Sequence, residues 1–239
     1  MRHDVTIVSN RQIAKATMEM KDRCPGVEIA PGTFFHIKTS GLLRRPLSVA
    51  NVEGNEITFL YKVIGEGTTE LSGKRVGDTL DVLGPLGNGF PLVQHGKRVV
   101  LVGGGIGVPP LYYVRRRLHE MGIETIAILG FDSKESVFYE EAFRELGETI
   151  ITTVDGSHGE SGFVTGPLAR IQADVLFSCG PEAMLRAVAA SPIPERYLSI
   201  ENRMGCGIGA CFACVCQAPD GYVKVCSDGP VFNAEEVLL

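Results

Sequence analysis

The sequence predicts a β plus α/β protein, with an N-terminal antiparallel β-barrel, a central parallel-sheet domain and a small C-terminal loop domain. Short β-rich segments separated by glycine and proline turns fill residues 1–95, a pattern typical of barrels and sandwiches. Apolar runs alternate with helical segments over residues 96–200, which indicates βα units. Residues 201–239 are rich in glycine and cysteine and show little periodicity. We therefore place domain boundaries at 95/96 and 200/201.

Composition excludes several classes of protein. The 239 residues are 44% hydrophobic and 21% charged, as in ordinary globular proteins. The 23 basic residues are outnumbered by 28 acidic ones, so the positive surface that nucleic-acid binding requires is not expected. The longest apolar stretch, residues 99–114, is interrupted by glycines and prolines, so we expect no membrane span. The N-terminus lacks a signal-peptide pattern, and we expect a cytoplasmic protein.

In the first domain, β-rich segments alternate with turns. Strands are predicted at residues 5–8, 34–37, 47–50, 56–63 and 79–83. The glycine-rich stretch 84–89 is predicted to be a loop that ends the domain.

In the second domain, the apolar runs do not alternate with polar residues, which is typical of strands buried on both faces. Strands are predicted at residues 98–102, 125–130, 148–153, 174–178 and 196–199. Helices are predicted at residues 110–121, 136–146 and 181–190. This order favours a Rossmann-like nucleotide domain.

Five of the seven cysteines lie between residues 206 and 226. Cys206, Cys211 and Cys214 followed by Cys226 repeat the C-x4-C-x2-C…C spacing of plant-type [2Fe-2S] sites. Small residues around them would let backbone N–H groups approach the sulfur atoms. A structural zinc site is the alternative. Cys216 is predicted to be a small buried side chain, and Cys24 carries no site pattern.

Two strand-to-helix junctions carry nucleotide-binding patterns. In Gly103-Gly104-Gly105-Ile106-Gly107, glycines would let a pyrophosphate approach the backbone at a helix N-terminus. The alternative is a purely structural tight turn. At the second junction, Cys179-Gly180-Pro181, a nicotinamide crossing the strand ends would lie beside Cys179. Asp132 follows the second parallel strand, where nucleotide domains place the residue that contacts the ribose. A carboxylate there would bind the 2′-hydroxyl of NAD and repel the 2′-phosphate of NADP. The alternative is that Asp132 caps a helix.

The first domain carries a candidate phosphate site. Arg44, Arg45 and Ser48 flank an apolar strand, and arginine forms paired hydrogen bonds with phosphate oxygens. The alternative is a solvated charge pair at the start of the strand. Tyr61-Lys62-Val63 and Gly67-Thr68-Thr69 would complete a flavin cleft. The five histidines form no cluster and are interpreted as ordinary surface or core residues.

Taken in chain order, these motifs resemble the ferredoxin–NADP reductase superfamily with a C-terminal iron–sulfur extension. The motifs are Arg45-Pro46-Leu47-Ser48, Gly67-Thr68-Thr69, Gly84-Pro85-Leu86-Gly87, Gly103-Gly104-Gly105-Ile106-Gly107, Cys179-Gly180-Pro181 and the segment from Cys206 to Cys226, which we call the cysteine loop. Within that superfamily, the chain resembles the electron-transfer subunits of type 1B dihydroorotate dehydrogenases. Leu47 departs from the wider superfamily, which usually has an aromatic residue at this place.

The resemblance implies FAD in the barrel with Arg45 on its pyrophosphate, and NAD in the central domain. It also implies one [2Fe-2S] cluster ligated by Cys206, Cys211, Cys214 and Cys226. The partner would be an FMN-containing catalytic subunit that oxidises dihydroorotate in pyrimidine (UMP) biosynthesis, in a heterotetramer with two copies of each chain. Electrons would pass from FMN through the cluster and FAD to NAD⁺.

The residues support the same class of protein without the resemblance. An iron–sulfur cluster moves single electrons and a nicotinamide moves two, so a flavin is needed between them. One alternative is a reductase subunit that serves another complex, such as a hydrogenase or a bifurcating transhydrogenase. A second alternative is a non-enzymatic regulator that senses redox state through nucleotide and zinc sites.

Overall fold

The computed structural model describes residues 1–23, 26–91, 93 and 95–239, so Cys24 lies outside the described residues. Its N-terminal part is a closed barrel of six antiparallel strands in the order β1-β2-β5-β4-β3-β6. The strands are β1 (Arg2–Ala14), β2 (Thr17–Arg23), β3 (Phe34–Ile37), β4 (Arg45–Glu53), β5 (Glu56–Lys62) and β6 (Thr79–Leu86). Helix α1 (Glu66–Ser72) lies between β5 and β6. The predicted antiparallel barrel is confirmed.

The barrel closes around a core of aromatic and β-branched side chains. Phe35, Val49 and Phe59 are almost completely buried, as expected for residues that pack well on a pleated sheet. Strand β2 was not predicted, because its buried positions include the charged residues Glu19 and Asp22. Strand β6 extends to Leu86 and takes up the first residues of the predicted 84–89 loop.

The central part is a seven-stranded sheet in the order β10-β9-β8-β7-β11-β12-β15. The strands are β7 (Val99–Gly104), β8 (Thr125–Phe131), β9 (Thr149–Thr153), β10 (Glu160–Ser161), β11 (Val175–Cys179), β12 (Glu195–Ser199) and, from the C-terminal part, β15 (Val231–Asn233). All neighbours pair in parallel except β12 and β15, which are antiparallel. The predicted parallel sheet is confirmed, with one antiparallel edge strand added.

Four α-helices accompany this sheet in the described residues: α2 (Val108–Glu120), α3 (Glu140–Arg144), α4 (Thr165–Leu168) and α5 (Glu182–Ala189). The prediction of a helix over residues 136–146 was too long. Residues 134–136 form a 3-10 turn, and Tyr139 has a φ of 60°, which breaks the helical path. The hydroxyl of Tyr139 donates to Glu19 Oε2 on β2 at 2.6 Å, so a tertiary contact accompanies the unusual backbone.

The C-terminal segment contains a hairpin, β13 (Val215–Ala218) and β14 (Gly221–Lys224), before it reaches β15. Its last strand pairs with β12, with Leu198 opposite Phe232. The cysteine loop is thus connected at both ends to the central sheet. The division of the chain at 200/201 stays a prediction. In the part of the chain that the structure describes, no helix is long and apolar enough to cross a membrane.

Side-chain contacts fix the barrel against the central sheet. Tyr113 on α2 donates its hydroxyl proton to the carbonyl oxygen of Ile29 at 3.0 Å. Arg116 Nη1, also on α2, donates to Asn51 Oδ1 on β4 at 2.8 Å. These two hydrogen bonds connect α2 to the barrel part and so help to position the barrel against the central sheet.

Candidate functional site

A groove of about 230 Å³ lies where the barrel meets the central sheet and the C-terminal segment. The predicted flavin residues that line it are Pro46, Leu47, Ser48, Tyr61, Lys62 and Thr68. Phe34, Asn202, Met204 and Pro230, which sequence reasoning missed, also line it. The fold therefore brings most of the predicted flavin set together and adds residues from the C-terminal segment.

Four predicted flavin residues are outside the lining of this groove: Arg45, Val63, Gly67 and Thr69. Gly67 instead packs against Arg45, which is why it lacks a side chain. A β-carbon there would collide with Arg45 Nε and would lie 3.1 Å from Cδ. Arg45 is thus held beside the first turn of α1, next to the groove.

The neighbouring Arg44 is used differently. Its Nη2 donates to Asp81 Oδ1 at 2.8 Å and its Nη1 donates to the Asp81 carbonyl at 3.0 Å. Although desolvation raises the pKa of Asp81, hydrogen bonds from Arg44 and Arg2 outweigh it and lower that pKa below its usual value. Among the described residues, Arg45 forms no ion pair of this kind, so Arg45 is the better candidate for a phosphate ligand.

Tyr61 and Lys62 end strand β5 at the groove. The Tyr61 hydroxyl donates to Asn10 Oδ1 at 3.0 Å, and burial raises the pKa of Tyr61 to about 12. Lys62 Nζ lies 3.9 Å from Asp132 Oδ2 across the cleft. The pair connects the candidate flavin groove with the residue predicted to read the nucleotide ribose.

A second cavity, of about 680 Å³, lies at the carboxyl ends of the parallel strands, where α/β sheets bind nucleotides. The predicted nucleotide residues that line it are Gly104, Gly105, Ile106, Gly107, Asp132, Gly180 and Pro181. Gly103 and Cys179 lie within β7 and β11 and are buried behind this lining. A β-carbon on Gly107 would collide with the Cys179 carbonyl, so the two predicted junctions touch each other.

Two apolar side chains on the rim of this cavity were missed by sequence reasoning. Val154 and Phe163 line the cavity near Asp132 and are 50% and 69% exposed. They belong to the segment after β9, which reaches the cavity only because the parallel sheet places all carboxyl ends on one edge. An exposed aromatic ring in such a cavity is suited to stacking on a flat heterocycle.

Glu201 was also missed, although it occupies a central place. It lines both the groove and the cavity, as Lys62 and Ile106 do. Desolvation raises the pKa of the Glu201 carboxyl group. Burial, and then the charge of Glu201, raise the pKa of the Cys179 thiol. The sequence did contain a signal that could have identified Glu201: this residue follows the last predicted parallel strand, at the same edge of the sheet as the glycine loops.

The cysteine loop surrounds the sulfur atoms with backbone N–H donors. Cys206 Sγ accepts from the amides of Ile208 at 3.4 Å, Ala210 at 3.2 Å and Cys211 at 3.4 Å. These bonds, that of Ile208 foremost, lower the pKa of Cys206 to about 6. Such donors stabilise a thiolate, which is the form that ligates metals.

The thiols lie in two pairs. The Cys206 amide donates to Cys211 Sγ at 3.3 Å, and the Cys226 amide donates to Cys214 Sγ at 3.4 Å. Cys214 and Cys226 are buried, whereas Cys211 is exposed. Across residues 1–23, 26–91, 93 and 95–239, no three His, Cys, Asp or Glu side chains converge on a point where one metal ion would sit. Cys216 lies in β13 and is half-buried, not fully buried as predicted; burial raises the pKa of its thiol.

The architecture is that of ferredoxin–NADP reductase-like oxidoreductases. It is similar to a solved NADH-dependent reduced ferredoxin–NADP oxidoreductase, with a TM-score of 0.90 and 31% identity over 98% of this chain and 89% of that chain. A family model described as the iron–sulfur cluster binding domain of dihydroorotate dehydrogenase B matches residues 201–238.

Full-length relatives narrow this class. The electron transfer subunit of dihydroorotate dehydrogenase B (NAD⁺) from Geobacillus sp. (strain WCH70) is 53% identical over 100% of this chain and 99% of that relative. The corresponding subunit from Bacillus pumilus (strain SAFR-032) is also 53% identical, over 98% of this chain and 97% of that relative. The chain belongs to this family of electron transfer subunits, and it is a component of an oxidoreductase.

Proposed function

We propose that this chain carries electrons from a separate dihydroorotate-oxidising subunit to NAD⁺, using a [2Fe-2S] cluster and FAD, in pyrimidine (UMP) biosynthesis. The observation that carries the proposal is that one groove and one cavity share Lys62, Ile106 and Glu201 in their linings. A flavin ring in the groove and a nicotinamide in the cavity would therefore meet. When bound, the cluster supplies one-electron transfer, FAD converts between one and two electrons, and NAD⁺ accepts a hydride.

The residues present fit these groups. The four thiols in two pairs match a site in which each iron takes two cysteine ligands, and the amides of the loop donate to their sulfur atoms. Arg45, next to the groove, would bind the FAD phosphates, and Ser48, in its lining, would donate to polar groups of FAD. Tyr61, anchored through Asn10, forms a wall of the groove.

On the nicotinamide side, the glycine loop binds the pyrophosphate through backbone N–H groups. Asp132 accepts hydrogen bonds from the adenosine ribose and makes NAD⁺ the preferred nucleotide over NADP⁺. Val154 and Phe163 would cover the adenine end, and Glu201, which lines both the groove and the cavity, would lie near the flavin and nicotinamide rings. These roles orient the nucleotide and restrict water at the site of hydride transfer.

Dihydroorotate oxidation is assigned to a partner, because the three cofactor sites draw on every part of the chain. The partner is an FMN-containing catalytic subunit, and the complex is a heterotetramer with two copies of each chain in the cytoplasm. Full-length similarity to electron transfer subunits supports the existence of a separate catalytic partner.

The test uses the purified chain, alone and coexpressed with its catalytic partner. We expect flavin and iron–sulfur absorption bands in the chain alone, and bleaching of both by NADH. In the complex we expect dihydroorotate-dependent NADH formation, which neither chain gives separately. A purified chain without flavin and iron, or a complex that reduces NAD⁺ with no dihydroorotate requirement, would refute the proposal.

The second candidate is an NAD(P)H–ferredoxin-type reductase subunit of another complex, such as a hydrogenase or a bifurcating transhydrogenase. It is favoured by the similarity in fold to the NADH-dependent reduced ferredoxin–NADP oxidoreductase. Copurification distinguishes the two. A partner with FMN and dihydroorotate oxidation supports the first candidate, whereas rapid ferredoxin reduction without any response to dihydroorotate supports the second.

A further inference from the structure

His36 has an unusual environment for a histidine. It lies on β3, where its exposed fraction is 0%, and its ring is 5.6 Å from that of Phe34, a residue of the candidate flavin groove. Neither of its ring nitrogens has a hydrogen-bond partner among the described residues. A buried polar group without a partner is unfavourable, so each such group calls for an explanation.

The far end of the His36 ring presses against the cysteine loop at Gly207. A β-carbon on Gly207 would lie 2.8 Å from His36 Cε1 and 3.0 Å from both ring nitrogens. Gly207 also has a φ of 74°, in the left-handed region that favours glycine. The imidazole therefore occupies the space of the missing side chain. Gly207 itself stands between Cys206 and Ile208, whose amide donates to Cys206 Sγ.

The imidazole is neutral in this environment. Burial, and then the charge of Arg44, lower the pKa of His36 to about 4. A neutral imidazole carries one N–H donor and one bare nitrogen. A phenylalanine or leucine would fill the same volume without burying a donor. The described residues provide no acceptor for this N–H, and a cluster held by the loop that contains Gly207 would supply sulfur acceptors there.

We propose that His36 is a further residue of the iron–sulfur site, whose N–H donates a hydrogen bond to a sulfur atom of the bound cluster while its ring supports Gly207. The inference rests on the proposed function, because it requires the cluster. A hydrogen bond to sulfur stabilises the more negative, reduced state and so raises the reduction potential. His36 would thereby help to set how readily the cluster passes electrons to the flavin beyond Phe34.

The experiment is an EPR-monitored redox titration of the cluster in the holoprotein. We expect His36→Leu to shift the midpoint to a more negative value, by up to about tenfold in the ratio of reduced to oxidised cluster, or 59 mV for one electron. His36→Gln keeps an N–H donor and should recover much of the wild-type value. His3→Leu is the matched control, because His3 Nε2 lies 3.1 Å from the Gly84 carbonyl oxygen, on another strand.

A second measurement takes its main result from the wild-type protein. Wild-type protein labelled with [15N]histidine should show a weak nitrogen coupling to the reduced cluster in pulsed EPR, and His36→Gln should remove it. An iron-loaded wild-type protein without this coupling, or an unchanged potential in His36→Leu, would overturn the role of His36 alone. Wild-type protein that contains no iron would overturn the proposed function and this inference together.

Discussion

Arg44 donates to Asp81 Oδ1 at 2.8 Å, and this ion pair assigns different roles to two adjacent arginines. The sequence Arg44-Arg45 offers two equivalent candidates for a phosphate ligand. The structure pairs Arg44 with a carboxylate of β6, whereas Arg45 lies beside Gly67, next to the groove that Pro46 and Thr68 line. The guanidinium beside the groove is the one free to bind FAD phosphates.

Replacing Arg45 by alanine is therefore expected to weaken FAD binding by roughly 1.5–3 kcal/mol, the range for a charge-assisted hydrogen bond. Flavin content after dilution and dialysis, or a fluorescence titration of the apoprotein, measures the loss. Arg44→Ala is the comparison. We expect this variant to lose thermal stability, because its ion pair with Asp81 is broken, and to lose little flavin affinity. If Arg44→Ala releases FAD while Arg45→Ala retains it, the assignment is reversed.

Analysis of iron and sulfide in serine variants can distinguish the four proposed cluster ligands from Cys216. Serine at Cys206, Cys211, Cys214 or Cys226 should abolish or severely reduce cluster content, because a hydroxyl is a poor substitute for a thiolate. Cys216→Ser should retain the cluster, since this residue lies in β13 outside the two thiol pairs. Loss of iron in Cys216→Ser but not in Cys214→Ser would contradict the ligand set.

Asp132 is expected to make the protein prefer NAD(H) to NADP(H). Repulsion between its carboxylate and a 2′-phosphate of about 2.7 kcal/mol would give roughly hundredfold discrimination. Steady-state kcat/KM values with both nucleotides measure the preference, and Asp132→Ala should narrow it. Glu124→Ala, an exposed acidic residue elsewhere on the same domain, is the control for net charge. Equal efficiency of the wild-type protein with NADPH would refute the prediction.

Asp22 is expected to make the stability of the protein depend on pH. Its carboxyl group is fully buried on β2, neither oxygen has a partner among the described residues, and burial raises its pKa from 3.8 to about 7. The folded state therefore binds the proton more tightly than the unfolded state does. Its contribution to stability is fully present below pH 3.8 and is lost as pH rises through about 7.

Asp22→Asn should accordingly be more stable than the wild type at pH 8, by about 2–4 kcal/mol in the free energy of unfolding, and the difference should shrink toward pH 4. Urea denaturation at a series of pH values measures it. The exposed Asp220 provides the control variant, Asp220→Asn, which should follow the wild-type profile. Parallel pH profiles for Asp22→Asn and the wild type would show that this carboxyl group is not the source.

Local patterns in the sequence predicted much of the fold and many residues of the candidate site. The change from punctuated β segments to unbroken apolar runs predicted the barrel and the parallel sheet, because these periods reflect which faces of a strand are buried. Strand β2 was missed because it buries Glu19 and Asp22. The helix predicted over residues 136–146 begins only at Glu140, after Tyr139, whose hydroxyl contacts Glu19 on β2.

The sequence by itself determined the features that depend on spacing along the chain, namely the cysteine loop and the glycine junctions. Each of these patterns is read from residues close to one another in the chain. Tertiary structure decided the features that depend on distant residues meeting: Arg44 paired with Asp81 while Arg45 lies beside Gly67, Glu201 lining both the groove and the cavity, and His36 packed against Gly207. These contacts arise from packing of the barrel, sheet and C-terminal segment, and packing geometry leaves no repeating pattern in a single sequence.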